Sequence, residues 1–224
     1  MSAVIDSPIQ APRAPASSPG LTLADLLDRF GPIPGSRVVR DPAPGTATEE
    51  DHARINARGV GVFELIDGTL IEKAVSDLSS WLGGEFVRLL GNFVEPGKLG
   101  WVHPADGFFH FIDGLRAPDA SFTPRAARPD GLRRQGYSDV PPALVVEVLS
   151  PGNTRREMER KRSIYFAAGV VRVWEVDPEA RTAVIWAGPD DDRPLGPGDA
   201  LVGDPVLPGF RIELNELFAA ADLS

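Results

Sequence analysis

The sequence predicts an α/β fold in which helices flank a mixed β-sheet core. The first reason is the order of the periodic segments, which runs helix, hairpin, helix, several strands, helix and further strands. The second is the almost continuously apolar run Ala143–Leu149, which is typical of a strand buried on both faces of a sheet. The chain has 224 residues, of which 42% are hydrophobic, and this supports one well-buried core. We therefore expect residues 21–224 to form a single domain.

The amino-terminal part of the chain is predicted to be poor in regular structure. Residues 1–20 are rich in Ala, Pro and Ser, which predicts a flexible tail. Residues 21–30 are predicted as a short helix that is capped by Thr22 and ended by Gly31-Pro32. Residues 31–60 are rich in Gly, Pro and charge, and we expect them to form a long loop.

A hairpin, a helix and three strands are predicted next. Two strand-like runs within Gly61–Val75 flank Asp67-Gly68, which is a strong signal for a two-residue hairpin turn. Apolar residues recur at helical spacing over residues 78–94, which predicts an amphipathic helix that Pro96-Gly97 ends. The three strand candidates that follow are residues 99–103, 107–112 and 115–122.

The second half of the chain is predicted to place one helix between strands. A polar loop over residues 124–142 leads into the apolar strand 143–149. The helix 154–168 begins with a capping box formed by Thr154 and Glu157. The remaining candidates are strands at 170–176 and 182–187, then a Gly/Pro/Asp-rich segment with a late strand and a short helix near 214–220.

The composition excludes several kinds of site. There are no cysteines, so a disulfide scaffold, a thiolate zinc site and a cysteine nucleophile are all excluded. The three histidines lack the spacing of a metal site, so any metal should be a hard cation held by oxygen atoms. The amino terminus lacks the features of a secretory signal, and no segment reaches the ~20 apolar residues that cross a bilayer. We therefore expect a cytoplasmic protein with no membrane partner.

Two acidic residues are candidates for a cation site. Glu147 lies inside the apolar run of the predicted central strand, where a carboxylate is costly unless it is paired or binds a cation. Alternatively, Glu147 lies at an edge of the sheet where its carboxylate faces solvent. Asp119 follows Pro118, a pair that also occurs in ordinary turns. On adjacent strands, Asp119 and Glu147 could share Mg²⁺ and support metal-assisted hydrolysis of a phosphate ester.

Lys161 is the third candidate because of its place on the predicted helix. At 100° per residue, Lys161 falls within the same stripe as Met158 and Tyr165, which is expected to face the sheet. A lysine there is a positioned cation that could orient water or stabilise charge on a phosphate. The alternative is a lysine at the rim of the stripe whose ammonium reaches solvent.

These residues also carry a family resemblance. Pro118-Asp119, Glu147 in VVEVLSPGNT and Lys161 in ERKRSIYFAAGVVRVWEVDP resemble the PD-(D/E)XK nuclease superfamily. The chain looks most like the Uma family of restriction-endonuclease-like proteins, from FELIDGTLIEK to DPVLPGF, roughly residues 61–210. The resemblance implies a restriction-endonuclease-like sheet in which Asp119 and Glu147 bind Mg²⁺, or Mn²⁺ in its place, and a lysine completes the site. The main-chain carbonyl of Val148 is a further candidate ligand.

The sequence departs from the superfamily pattern at two positions. The usual lysine lies two residues after the glutamate, where this chain has Leu149, and Lys161 occupies the matching place on the next helix. Many members carry His or Glu at the start of the earlier helix, where this chain has Ser79. Glu64 in FELIDG matches a recurrent family glutamate and is a further candidate ligand for metal or water, or else a strand residue beside the hairpin.

The expected function is Mg²⁺-dependent hydrolysis of phosphodiester bonds, with DNA as the expected partner. The net charge is −9, but residues 115–174 hold 11 basic and 6 acidic residues, a net charge of +5, and positive charge is what phosphate binding needs. The alternative is a catalytically degenerate nuclease-fold module for binding or assembly, and a small-molecule hydrolase is a weaker third reading. A homodimer is expected by analogy only. Seven arginines could contact the phosphate backbone or, alternatively, form a solvated surface: Arg116, Arg125, Arg128, Arg133, Arg134, Arg155 and Arg156.

Overall fold

The computed structural model describes residues 20–222, so the predicted tail 1–20 lies outside the described residues except for Gly20. The helices are α1 Leu23–Phe30, α2 Glu49–Asn56, α3 Asp77–Gly97, α4 Arg155–Ala167 and α5 Leu214–Asp222. The strands are β1 Phe63–Ile66, β2 Thr69–Glu72, β3 Gly100–Pro104, β4 Phe109–Phe111, β5 Gly114–Arg116, β6 Ala120–Pro124, β7 Leu144–Val148, β8 Arg172–Asp177, β9 Thr182–Trp186, β10 Asp192–Leu195, β11 Ala200–Val202 and β12 Arg211–Glu213.

The largest sheet is mixed, as the sequence predicts. It has six strands in the order β10-β9-β8-β7-β6-β3, and only β7 and β8 are parallel. Because parallel strands need a crossover, α4 connects these two strands. A second, antiparallel sheet has the order β2-β1-β5-β4, and β11 pairs with β12. Over residues 20–222, no helix is long and apolar enough to span a membrane.

The core lies on both faces of the six-stranded sheet. Leu144, Val146 and Val148 of β7 pack in one cluster with the buried residues of α3. Val145 packs in another cluster with Tyr165 of α4. Since side chains alternate along a strand, Glu147 shares the face of Val145 and points towards α4. The apolar run of β7 therefore places its one acidic residue under a helix.

The hairpin between β1 and β2 forms at the predicted turn. Asp67 and Gly68 both have positive φ, 46° and 70°, which is the backbone of a type I′ turn. A Cβ on Gly68 would come within 2.7 Å of the backbone of Gly45, so the close approach also requires glycine. The predicted caps of α1 and α4 are confirmed as well, because Thr22 and Thr154 each form a capping box.

Two predictions of secondary structure are wrong. The predicted loop 31–60 contains α2, in which only His52 is buried, so the helix has no apolar stripe that periodicity could reveal. The predicted strand 115–122 is instead two strands, β5 and β6, in different sheets. The chain passes between the sheets at Ala117–Asp119, because Pro118 has no N–H to continue a ladder.

A buried ion pair fixes the amino-terminal end of α4. The Arg37 guanidinium contacts both carboxylate oxygens of Glu157, at 2.7 and 3.1 Å, and also donates to the carbonyls of Glu72 and Gly152. Burial by itself raises the pKa of Glu157, but the hydrogen bonds from Arg37 and the nearby positive charges outweigh it and hold the pKa below its ordinary value. The pair joins the segment between α1 and α2 to the helix that carries Lys161.

We expect Glu157→Gln to lower the free energy of unfolding by about 3 kcal/mol at pH 7, because Arg37 loses its buried counter-charge. A carboxylate with a lowered folded-state pKa stabilises the fold above the unfolded pKa, about 4.3, and this stabilisation is lost as the pH falls through the folded pKa. The difference between wild type and variant should therefore shrink below pH about 4.3. Urea denaturation at several pH values measures it.

The matched control is Glu159→Gln on the same helix. Its ion pair with Arg155 is exposed, with side chains 47% and 92% accessible, and such pairs contribute little. A change of about 0.5 kcal/mol or less is expected. Equal effects of the two substitutions would show that the Arg37–Glu157 pair does not hold α4.

Candidate active site

Asp119, immediately before β6, and Glu147 of β7 lie side by side at one end of two internal strands of the six-stranded sheet. Ala120 pairs with Val146 in the antiparallel ladder of β6 and β7, and continuing this register by one residue sets Asp119 opposite Glu147. The backbone N–H of Val148 donates to Asp119 Oδ2 at 2.8 Å. Two acidic residues separated by 28 positions in sequence are thus cross-strand neighbours.

Glu147 is buried and has a partner for each carboxylate oxygen. Only 3% of the residue is exposed, so the solvent-edge alternative does not apply. Lys161 Nζ donates to Oε2 at 3.1 Å, and the Tyr165 hydroxyl donates to Oε1 at 2.5 Å. Burial raises the pKa of Glu147 despite the positive charge of Lys161, and the negative charge of Asp119 adds to that rise.

Lys161 lies between two carboxylates in the interior. Only 3% of Lys161 is exposed. This confirms the predicted position on the side of α4 that faces the sheet. The alternative, in which the ammonium reaches solvent at the rim of the apolar stripe, is wrong. Its Nζ is 3.1 Å from Glu147 Oε2 and 3.7 Å from Glu64 Oε1. Burial alone lowers the pKa of Lys161, but the two carboxylates outweigh it and raise the pKa above its ordinary value. The ammonium therefore stays charged.

Glu64 belongs to the same cluster. It is 2% exposed on β1, and its Oε1 accepts a hydrogen bond from the backbone N–H of Ala117 at 3.1 Å. Its Oε2 is 3.7 Å from the Arg116 guanidinium. Glu64 thus contacts the segment where the chain passes between the two sheets, immediately before Asp119.

A second lysine, which the sequence did not single out, pairs with Asp119. Lys73 directly follows β2, and its Nζ donates to Asp119 Oδ1 at 2.8 Å and to the carbonyl of Ala117 at 2.6 Å. The Lys73 side chain is 6% exposed and that of Asp119 is 17% exposed. The available signal was a lysine at the end of FELIDGTLIEK, but the contact depends on how the two sheets meet, which periodicity does not show.

The two carboxylates suit Mg²⁺ as a donor set. Within residues 20–222, no group of three or more Asp, Glu or His side chains is arranged to hold a metal ion. Mg²⁺ does not need one, because it usually takes one or two carboxylates and completes its octahedron with water and phosphate oxygens. Asp119 and Glu147 provide such a pair, while Lys73 and Lys161 supply the counter-charge. The donor set therefore fits the predicted cation.

The two departures from the superfamily pattern have different surroundings. Ser79 lies in the first turn of α3, where it forms a capping box with Ser76 and accepts a hydrogen bond from Ser150 Oγ at 2.7 Å. This end of the site therefore carries hydroxyl groups where a titratable side chain was expected. Leu149 follows β7 and donates its backbone N–H to the carbonyl of Val176.

Two of the seven candidate arginines, Arg116 and Arg128, are buried, so both alternatives, phosphate contact and a solvated surface, are wrong for them. Arg116 is 1% exposed and makes a two-bond ion pair with Asp113, at 2.5 and 3.1 Å. Burial lowers the pKa of Arg116, but Asp113 and Glu64 outweigh it and raise the pKa, so this arginine is a structural charge. Arg128 is 7% exposed. The arginines that remain on the surface are Arg125, Arg133, Arg134, Arg155 and Arg156.

Comparison with known proteins gives a family and a fold. The family model Uma2, described as "Putative restriction endonuclease", matches residues 50–215. The crystal structure of a "putative nuclease belonging to DUF820" from Anabaena variabilis is similar, with a TM-score of 0.62 and 18% sequence identity. The match covers 71% of this chain and 91% of that chain, and at this identity it shows a shared fold. No curated protein matches this chain.

We expect the Lys161–Glu147 pair to show strong coupling in a double-mutant cycle. Lys161→Met should destabilise the fold by about 3–5 kcal/mol, because it leaves a buried carboxylate without its counter-charge. Adding Glu147→Gln to that variant should recover part of the loss, since the amide needs no counter-charge. Urea denaturation of the four proteins gives the coupling energy.

The control cycle combines Lys161→Met with Glu159→Gln. Glu159 is on the same helix but pairs with exposed Arg155, so the two effects should add to within about 0.5 kcal/mol. Additivity in the Lys161–Glu147 cycle as well would contradict the arrangement described above.

Proposed function

The chain belongs to the Uma2 family, and we propose that it is a Mg²⁺-dependent endonuclease that hydrolyses phosphodiester bonds in DNA. The observation that carries the proposal is the pair of neighbouring carboxylates, Asp119 and Glu147, each contacted by a lysine ammonium at one end of the internal strands β6 and β7. Metal-assisted phosphodiester hydrolysis requires carboxylates that bind a hard cation and positively charged groups that stabilise the phosphate.

Asp119 and Glu147 would hold Mg²⁺, with the carbonyl of Val148 as a candidate third ligand. When bound, the ion would supply Lewis-acid polarisation of a phosphoryl oxygen and lower the pKa of a coordinated water. Lys161 and the Tyr165 hydroxyl fix the orientation of the Glu147 carboxylate by donating to its two oxygens. Glu64 adds a second carboxylate near Lys161 and so helps to keep that ammonium protonated.

Lys73 is the lysine that would contact the substrate phosphate. Its partner Asp119 is the more accessible of the two carboxylates, 17% exposed against 5% for the Glu147 side chain. A phosphate that approaches from this side reaches Lys73 before Lys161. An ammonium so placed stabilises the negative charge that develops on the phosphoryl oxygens in the transition state.

The exposed arginines support nucleic acid as the partner. Arg125, Arg133 and Arg134 lie in the connection between β6 and β7, and Arg155 begins α4. Both segments adjoin the strands that carry Asp119 and Glu147. Arginine side chains at such positions neutralise phosphates and add affinity that does not depend on base sequence.

The second candidate is a non-catalytic module that has kept the nuclease fold. One observation favours it: Lys73 and Lys161 balance the charges of Asp119 and Glu147 through direct ion pairs. A site that is neutral in this way can serve as a structural core. The two candidates differ in whether bound DNA is cut.

We expect the wild type to nick supercoiled plasmid in the presence of Mg²⁺ or Mn²⁺. Cleavage should stop when EDTA removes the metal. Asp119→Asn, Glu147→Gln, Lys161→Met and Lys73→Met should each lower the rate by about 100-fold or more, since each removes a charged group at the reacting phosphate or its ligands. Gel analysis of nicked and linear product measures the rate, and circular dichroism checks folding.

Glu216→Gln, an exposed position on α5 away from these residues, is the control and should cleave at the wild-type rate. Equal cleavage by wild type and by all four variants would point to a contaminating nuclease and end the proposal. DNA binding without cleavage by the wild type would support the module instead.

We expect Lys73→Met to bind Mn²⁺ more tightly than the wild type in calorimetric titration without DNA. The ammonium is 2.8 Å from Asp119 Oδ1, so it competes with a cation for that carboxylate, and its removal should raise the affinity about tenfold. Asp119→Asn should lose binding. Weaker Mn²⁺ binding by Lys73→Met would contradict this competition.

A further inference from the structure

A cavity of about 730 Å³ opens beside the candidate active site. It lies between the first turns of α4, the carboxyl ends of β7 and β8, and the start of α3, which contributes Ser76 and Leu78. Its volume is in the range of pockets that hold a small organic ligand. Crevices at the carboxyl ends of parallel strands joined by a helix are a common place for such ligands.

The cavity is one strand away from the predicted cation ligands. Glu175 of β8 is the register partner of Glu147 of β7, and adjacent strands lie about 4.8 Å apart. Lys161 pairs with Glu147, and the next residue of α4, Arg162, pairs with Glu175 at 2.8 Å. The side chains of Lys161 and Glu147 are only 4% and 5% exposed, while Arg162 and Glu175 both line the cavity.

The wall of the cavity presents a flat cation and carboxylate acceptors. The Arg162 guanidinium lies 3.5 Å from the centre of the Trp186 ring and also donates to the carbonyl of Pro189, so it is fixed in place. Guanidinium planes and aromatic rings are surfaces on which nucleobases stack. Glu175 and Asp177 add carboxylate oxygens at the same wall. Carboxylates accept hydrogen bonds from the amino and imino groups of bases.

We propose that this cavity binds one unpaired nucleobase of the substrate strand, next to the phosphate at Asp119 and Glu147, and that it favours guanine. This rests on the proposed function. Among the DNA bases, guanine offers two adjacent N–H donors, N1–H and the 2-amino group, to one carboxylate. The strand's phosphates stay outside, where Arg155 at the rim is exposed. Because a paired base must first be unstacked, the cavity favours single-stranded or distorted DNA.

The test is a titration with dGMP and dTMP in EDTA, followed by chemical shifts in protein NMR spectra. The wild type should bind dGMP saturably and dTMP about tenfold more weakly, since thymine has one N–H donor at its edge. Leu78→Trp fills the mouth of the cavity from a position that is 39% exposed, and it should abolish dGMP binding. Leu27→Trp, 47% exposed on α1 and outside the cavity lining, is the matched control and should bind dGMP normally.

A second variant keeps the test decisive if Leu78→Trp fails to fold. Asp177→Asn keeps an oxygen that can accept the backbone N–H groups of Glu179 and Ala180, but it removes one charge from the cavity wall. It should weaken dGMP binding several-fold without affecting the thermal unfolding midpoint. Absence of saturable dGMP binding, equal affinity for dTMP, or unchanged binding by folded Leu78→Trp and Asp177→Asn would overturn the proposal.

The titration also separates this proposal from the nuclease proposal. It uses no metal and no cleavage, so Asp119→Asn should bind dGMP like the wild type. If the wild type cuts DNA but does not bind dGMP, the base-binding proposal alone fails. If it binds dGMP in the cavity but never cuts DNA, the nuclease proposal alone fails.

Discussion

The structure depends on charge that is buried where the two larger sheets meet. Glu64 and Glu147 are 2% and 3% exposed, and their counter-ions Lys161 and Arg116 are 3% and 1% exposed. An unpaired charge in such an interior is very costly, so these groups are stable only together. The pairs therefore constrain how α4 lies over β7 and how β1 lies beside β5. Apolar packing alone would permit small shifts of these elements that the ion pairs do not.

The strand register supplies the correct pairing. Glu147 faces α4 only because the even-numbered residues of β7 face α3. A shift of β7 by one residue would exchange the two faces. It would bury the Glu147 carboxylate against Leu82 and Phe86, where neither Lys161 nor Tyr165 could reach it. The cost of that misplacement selects one register, which then sets Asp119 opposite Glu147.

Much of the candidate site could be predicted from local sequence, and the rest depends on the meeting of distant segments. Glu147 is conspicuous because a single acid interrupts an apolar strand, and Lys161 is placed by helical periodicity. Both signals lie within a few residues of the side chain they concern. Lys73 has no such signal, since its partner Asp119 is 46 residues away, immediately before a strand of another sheet. The same holds for α2, whose one large apolar residue, Ile55, cannot form a periodic stripe. It also holds for the break between β5 and β6, where the chain leaves one sheet and enters the other.

The balance of charge bears on how a cation and a substrate would act together. Lys73 and Lys161 balance the charges of Asp119 and Glu147, so these carboxylates do not depend on a metal ion for their counter-charge. On the proposed function, the same balance makes a cation compete with Lys73 for Asp119. A phosphate that approaches Asp119 attracts the Lys73 ammonium with its own negative charge and so weakens the Lys73–Asp119 pair. The carboxylate is then freer to bind the cation, and each partner favours the binding of the other. On the proposed function, a site built in this way would hold its metal weakly until the nucleic acid arrives.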